Sequence, residues 1–181
     1  MSRTLVAKLP PEIAPLIAPI AGTYGLEPSL VAAIVVRESS GNTDASRFEP
    51  GWKYFVGPDG RPCNGWQVEP IPLRAPGEAE DVYLKRKHAE GFAQATSWGL
   101  MQTMGAVARE LGFRAPDLGD LRHPQIGLEY GCKHLAHYRE RYDLLQAISA
   151  YNAGPGGIGS NRPYVESVVE LKRLFEQDGV A

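Results

Sequence analysis

The sequence predicts a mainly α fold, a single helical domain over residues 1–181 with a long irregular insertion at about 44–95. Three observations carry this. Apolar residues recur at helical spacing before residue 41 and after residue 96. Between those regions, RFEPGWKYFVGPDGRPCNGWQVEPIPLRAPG is dense in Pro and Gly and keeps no helical period. At 181 residues the chain suits one well-packed domain and is short for two, and it has no internal repeat or low-complexity tract.

The first helix is expected over 11–24, with Ile13, Leu16, Ile17 and Ile20 as its apolar stripe. Pro11 suits a first helical turn, and Pro15 or Pro19 should break or kink the segment. Gly25 ends it. The stretch PSLVAAIVVRESSG at 28–41 follows as the second arm of an αα-hairpin, and Gly41 is its natural stop. In the insertion, Trp52, Tyr54 and Trp66 offer flat faces with polar edges that suit sugar rings. A loop packing on its own aromatics is the alternative. Residues 78–94 read as a helix, with Val82, Tyr83 and Phe92.

TSWGLMQTMGAVARELGF at 96–113 reads as a helix capped by Ser97, carrying Met101, Met104, Val107, Ala108 and Leu111, and closed by Gly112. Gln102 stands out there, because an amide among apolar residues must find a partner, and a ligand is one candidate. A loop around 115–123 leads to a helix over 124–142 with Ile126, Leu128, Leu135 and Tyr138. It also holds Cys132, His134 and His137, whose i, i+2, i+5 spacing does not share one helix face, so no metal site is expected. Asp143 caps LLQAISAYNAG, Gly154 terminates it, and 163–177 forms a last amphipathic helix with Val165, Val168, Val169, Leu171 and Phe175.

Composition excludes several functions. A formal charge of -2 gives no electrostatic case for nucleic acid or an anionic membrane. No apolar run approaches the ~20 residues of a membrane span. Lys8 and the prolines at 10, 11, 15 and 19 interrupt any signal-peptide core, so a soluble cytoplasmic product is expected. Cys63 and Cys132 are the two cysteines; reduced thiols are favoured over one disulfide.

Glu38 is the residue with the most chemistry in it. Leu30 or Val31, Ile34 and Glu38 recur at helical spacing, so the carboxylate continues a buried stripe. Apolar neighbours and the negative end of the helix dipole both disfavour its charged form. A raised pKa is what a proton donor needs near neutral pH. The competing reading is a solvated Arg37–Glu38 pair.

Four segments now stand in order: ESSGN at 38–42, SWGLMQTM at 97–104, AYNAG at 150–154 and PYV at 163–165. Together they resemble the soluble lytic transglycosylase family, whose catalytic domain has a goose-type lysozyme-like fold. The resemblance spans roughly residues 28–172. It implies that Glu38 is the single catalytic acid/base, and that Met101 and Gln102 line a glycan cleft. It places Tyr151 and Asn152 beside the acid, with the Tyr151 hydroxyl projecting into the cleft, and makes Tyr164 the late tyrosine of that cleft. The reaction implied is cleavage of the β-1,4 bond between N-acetylmuramic acid and N-acetylglucosamine in peptidoglycan, closing a 1,6-anhydro ring. No cofactor is implied, the partner is the peptidoglycan glycan strand, and a monomer is expected. Without a signal peptide the chain is most similar to a phage or prophage lysis enzyme, or to a wall-opening part of a virion or secretion machine; it would act on the cell wall or periplasm after release or delivery.

Two departures from the family pattern matter. About fifty residues separate ESSGN from GLMQ where a short segment is usual, and the family's cleft serine has no clean equivalent, Ser46 being one position out of register. Ordinary glycosidases need two carboxylates. Asp44, Glu49 and Glu69 are the candidates for a second, with Glu49 expected at the cleft or else in a surface pair with Arg47 or Lys53. A second carboxylate would make this a goose-type lysozyme-like hydrolase. A non-catalytic glycan-binding or structural module is the remaining alternative.

Overall fold

A computed structural model describes residues 9–180, apart from the side chain of Trp66. The expectations resting on Lys8 and on Trp66 stacking lie outside the described residues. The chain is mainly helical: α1 (Ala14–Thr23), α2 (Pro28–Ser39), α3 (Glu80–Gln94), α4 (Gly105–Glu110), α5 (Pro124–Arg139), α6 (Leu144–Ala153) and α7 (Arg162–Gln177). Five short strands accompany them: β1 (Ser46–Phe48), β2 (Phe55–Val56), β3 (Pro62–Cys63), β4 (Thr96–Trp98) and β5 (Thr103–Met104).

The helix α2 is the axis of the fold. Pro28 opens it, where a fixed φ and a missing N–H cost nothing. Residues 30–35 are all buried, so this is a core helix closed on every side rather than the striped one the sequence suggests. It packs along α7 and against α1, within one cluster that also takes Leu128, Cys132 and Leu135 from α5 and Ile148 and Tyr151 from α6. Its end is sharp. Ser40 takes a left-handed conformation at φ 53, its N–H bonding Val36 O, and Gly41 follows at φ 80. The α1 helix runs through Pro19 without the expected break. Pro19 forfeits one backbone bond, and the burial of Ile17 and Ala21 in the core holds the turn.

The helix expected from Ser97 is not formed. Residues 96–104 make a hairpin, β4 against β5, and β1 pairs with the other edge of β4. The start of the insertion is thus part of a small antiparallel sheet, with Arg47 opposite Ser97. The reason lies in two residues of positive φ, Gly99 at 67 and Gln102 at 49, which reverse the chain. A side chain at Gly99 would also collide with the carbonyl of Leu121. Only the second half of the expected segment is helical, as α4. At α6, Asp143 caps as expected, accepting from the Gln146 N–H at 2.8 Å while the Gln146 side chain returns to the Asp143 N–H.

The rest of the insertion is a two-stranded hairpin, β2 against β3, followed by proline-rich chain and α3. One buried side chain ties the hairpin to the body. Gln94 accepts from the Val56 N–H at 2.9 Å and donates to Val56 O at 2.8 Å, matching the backbone as a neighbouring strand would. Its amide also donates to Glu90 Oε1 at 2.9 Å. Glu90 in turn receives a two-pronged ion pair from Arg109, at 2.8 and 2.9 Å. The Nη1 group of the same guanidinium donates to Phe113 O and Ala115 O.

Candidate active site

Glu38 occupies the last turn of α2, half-buried at the edge of a cavity of about 460 Å³. Arg47, Glu49, Trp52, Tyr54, Gln102 and Tyr151 are among its other lining residues. The cavity exists because α2 stops there and β1 turns the chain back across its end. Burial raises the pKa of Glu38; a hydrogen bond from Tyr164 and the charges of Arg37 and Arg47 partly oppose that rise. The Tyr164 hydroxyl donates to Glu38 Oε1 at 2.5 Å. Tyr164 is itself held protonated by burial and by the adjacent carboxylate, so it serves as a fixed donor. Arg37 lies over the Tyr164 ring, 5.2 Å from its centre, and not in a pair with Glu38.

The two segments that flank Glu38 are latched to it. The Ser39 hydroxyl lies 2.8 Å from Leu100 O and 3.1 Å from Val35 O, bridging α2 to the β4–β5 turn. The Gln102 amide donates to Ala45 O at 3.0 Å and Gly99 O at 2.9 Å, and its carbonyl accepts from Ser97 Oγ at 2.9 Å. Gln102 thus lines the cavity but finds its partners in the protein, which also stabilises its unusual backbone.

The remaining expected residues divide. Met101 has no exposure; its side chain packs in the core and its carbonyl accepts from the Tyr151 hydroxyl at 2.7 Å. That bond corrects the expected direction of the Tyr151 hydroxyl, which turns onto the backbone of the β4–β5 turn while the ring faces the cavity. Tyr151 lies within α6, in the helix expected over LLQAISAYNAG. Asn152 lines the cavity and accepts from Asn161 Nδ2 at 2.9 Å, within a polar knot that includes Ser149. Tyr164 contacts Glu38 and not the cavity. Glu49 lines the cavity and is paired with Arg47 at 2.6 Å. Asp44 is exposed, and Glu69 is held in the insertion by Lys87 at 2.6 Å and by Tyr83. Ser46 is an exposed strand residue paired with Trp98. Cys63 and Cys132 are free thiols, and burial pushes Cys132 up to about 12.

A larger cavity of about 890 Å³ continues from the first. One wall is the insertion, from Trp52 to Val56 with Pro62 and Cys63, and the other is α4, α6 and the turn after it. Trp52 and Tyr54 meet edge to face at 5.5 Å, the indole N–H bonding Tyr54 O at 2.7 Å, so they brace each other and still face the cavities. Trp52, Tyr54, Met104, His134, Tyr151 and Asn152 border both spaces. Sequence reasoning missed Asn161, and it gives Arg47 only as a surface partner of Glu49 and His134 only as a candidate metal ligand.

A mainly helical, lysozyme-like domain with a half-buried acid beside an aromatic-walled cleft defines a class of glycan-cleaving enzymes. The chain belongs to the transglycosylase SLT domain family, whose model matches residues 15–170. Membership makes peptidoglycan the substrate of its family and lytic transglycosylation the type of reaction. Among the described residues no helix is long and apolar enough to cross a membrane.

Proposed function

We propose that this protein cleaves the β-1,4 bond between N-acetylmuramic acid and N-acetylglucosamine with Glu38 as its single acid and base, leaving 1,6-anhydro-muramic ends. The observation that carries this reading is the setting of Glu38: a carboxyl group whose pKa is raised by burial, opening onto a cleft, with one oxygen already engaged by Tyr164. Oε2 is left to carry the working proton. It is delivered to the glycosidic oxygen as the C1–O bond breaks. The resulting carboxylate takes the proton of the muramoyl 6-hydroxyl, whose oxygen bonds to C1 and closes the second ring. Attack from within the same sugar has the high effective molarity of a positioned nucleophile and uses no water. Glu49, Gln102, Tyr151 and Asn152 shape the floor and sides on which the strand lies, and the wall or periplasm is the place of action.

Glu49 in the same cavity favours a second reading, in which it orients water and the product is a reducing sugar. Mass spectrometry of muropeptides released from purified sacculi separates the two, because the products differ by one water. Anhydro ends are the expected result. Reducing ends from the native protein would overturn the transglycosylase reading in favour of hydrolysis.

Tyr164 provides a second test. Its hydrogen bond favours the charged form of Glu38, so Tyr164→Phe should raise the pKa of that acid further. The protonated form then survives to higher pH, and the alkaline limb of the kcat/KM profile should move up, with the acid limb of the ring-closing step following it. An unmoved alkaline limb would mean that Glu38 is not the group that titrates in the profile.

A further inference from the structure

We propose that His134 is a specificity-determining residue of the cleft, and that its imidazole hydrogen-bonds the acetamido group of a sugar lying across the junction of the two cavities. This rests on the glycan-cleaving reading above and names a recognition element within it.

The placement comes from α5. Its Cys132 and Leu135 are fully buried in the core, while His134 borders both the cavity of Glu38 and the larger one beside it. Two rings fix the plane of the imidazole: Tyr151 and Tyr138, each with its centre 4.9 Å away. Among the described residues, neither ring nitrogen has a hydrogen-bond partner in the protein. Burial, and to a lesser degree the charge of His137, holds the His134 pKa well below the ordinary imidazole range. Near neutral pH it therefore carries one N–H donor and one bare nitrogen acceptor. An acetamido group presents the complement, a carbonyl acceptor and an N–H donor.

Several other polar groups of this junction are already engaged. The Gln102 amide bonds Ala45, Gly99 and Ser97, the Tyr151 hydroxyl bonds Met101, and the Asn152 carbonyl receives Asn161. A purely structural ring between two tyrosines would be served better by Phe, which leaves no nitrogen half-desolvated and unpaired. The sugar class follows from the group it would hold: an N-acetylated hexosamine.

The test compares His134→Phe, which keeps the ring packing, with His134→Gln, which keeps a donor and an acceptor. Both are made in the Glu38→Gln background so that ligand is not consumed, with thermal melting as the check on folding; His134→Ala replaces the Phe variant if that one melts early. N-acetylchitopentaose and cellopentaose, which lacks acetamido groups, are titrated by calorimetry. The Phe variant should bind the acetylated pentaose about fivefold to tenfold more weakly, the size of one or two lost neutral hydrogen bonds. It should bind cellopentaose unchanged, and Gln should restore most of the loss. With Glu38 intact, His134→Phe should raise KM for sacculi and leave kcat in place. Equal binding of the acetylated pentaose by parent and Phe variants, or equal weakening of both pentaoses, would overturn the proposal while leaving the glycan-cleaving reading intact. A native protein that does not cleave sacculi would overturn that reading, and this one with it.

Discussion

Glu38→Gln is expected to slow peptidoglycan cleavage by about 10²–10⁴-fold, the range that a lost general acid accounts for. The amide keeps the shape of the side chain and can still accept from the Tyr164 hydroxyl, but it neither releases nor takes a proton at working pH. Folding should be undisturbed. At neutral pH the substitution also removes a group whose ionisation is opposed by burial, so the melting temperature should equal or exceed the parent's. The pH dependence has a definite sign. Because the acid form is the donor and its pKa is raised, the native rate should fall as pH climbs through that value, and the residual rate of the Gln variant should lose that limb. Clearing of a sacculus suspension, with circular dichroism beside it, measures both. Activity within tenfold of the parent would remove Glu38 from the mechanism.

Glu90→Ala should be the most destabilising single change in the described fold outside the apolar core. It leaves Arg109, 1% exposed, as a buried cation without its carboxylate, and breaking such a pair costs about 3–5 kcal/mol. For a chain of this size the melting temperature should drop by roughly 10 °C. Gln94 would lose a partner as well, so the β2–β3 hairpin should loosen and strand cleavage should decline beyond what the lower stability explains. Urea unfolding gives the free energy, and amide exchange at Val56 reports the hairpin. A loss below about 1 kcal/mol would show that Arg109 is satisfied without Glu90.

Much of the architecture was legible because local signals agreed with the global fold. Asp143, Gly154 and Gly41 each mark a helix end by chemistry that acts within a few residues. Glu38 was legible in part for the same reason: its helical spacing points inward, and the order of the four motifs decided between that and a solvated pair with Arg37. What failed was local pattern with a non-local cause. The methionines at 101 and 104 mimic a helical stripe, yet the chain reverses there because Gly99 must pass under the Leu121 carbonyl. The Tyr151 hydroxyl turns to Met101, fifty residues away, and Tyr164 reaches Glu38 across 126. No window of sequence contains both partners of such a bond. The clamp of Gln94 on Val56 is hidden likewise, since a glutamine at the end of an ordinary helix gives no sign of what its amide will meet.

That clamp has a consequence for how the protein can change over generations. Gln94 grips only main-chain atoms of Val56, so the grip reads no side chain in the hairpin it holds. The β2–β3 hairpin can therefore change its side chains around Val56 and still be gripped at the same place beside the cleft. The acid has no such freedom, because its bond to the Tyr164 hydroxyl joins two side chains and so reads both residues. Selection, or a protein engineer, can retune which strands are accepted without touching how they are cut.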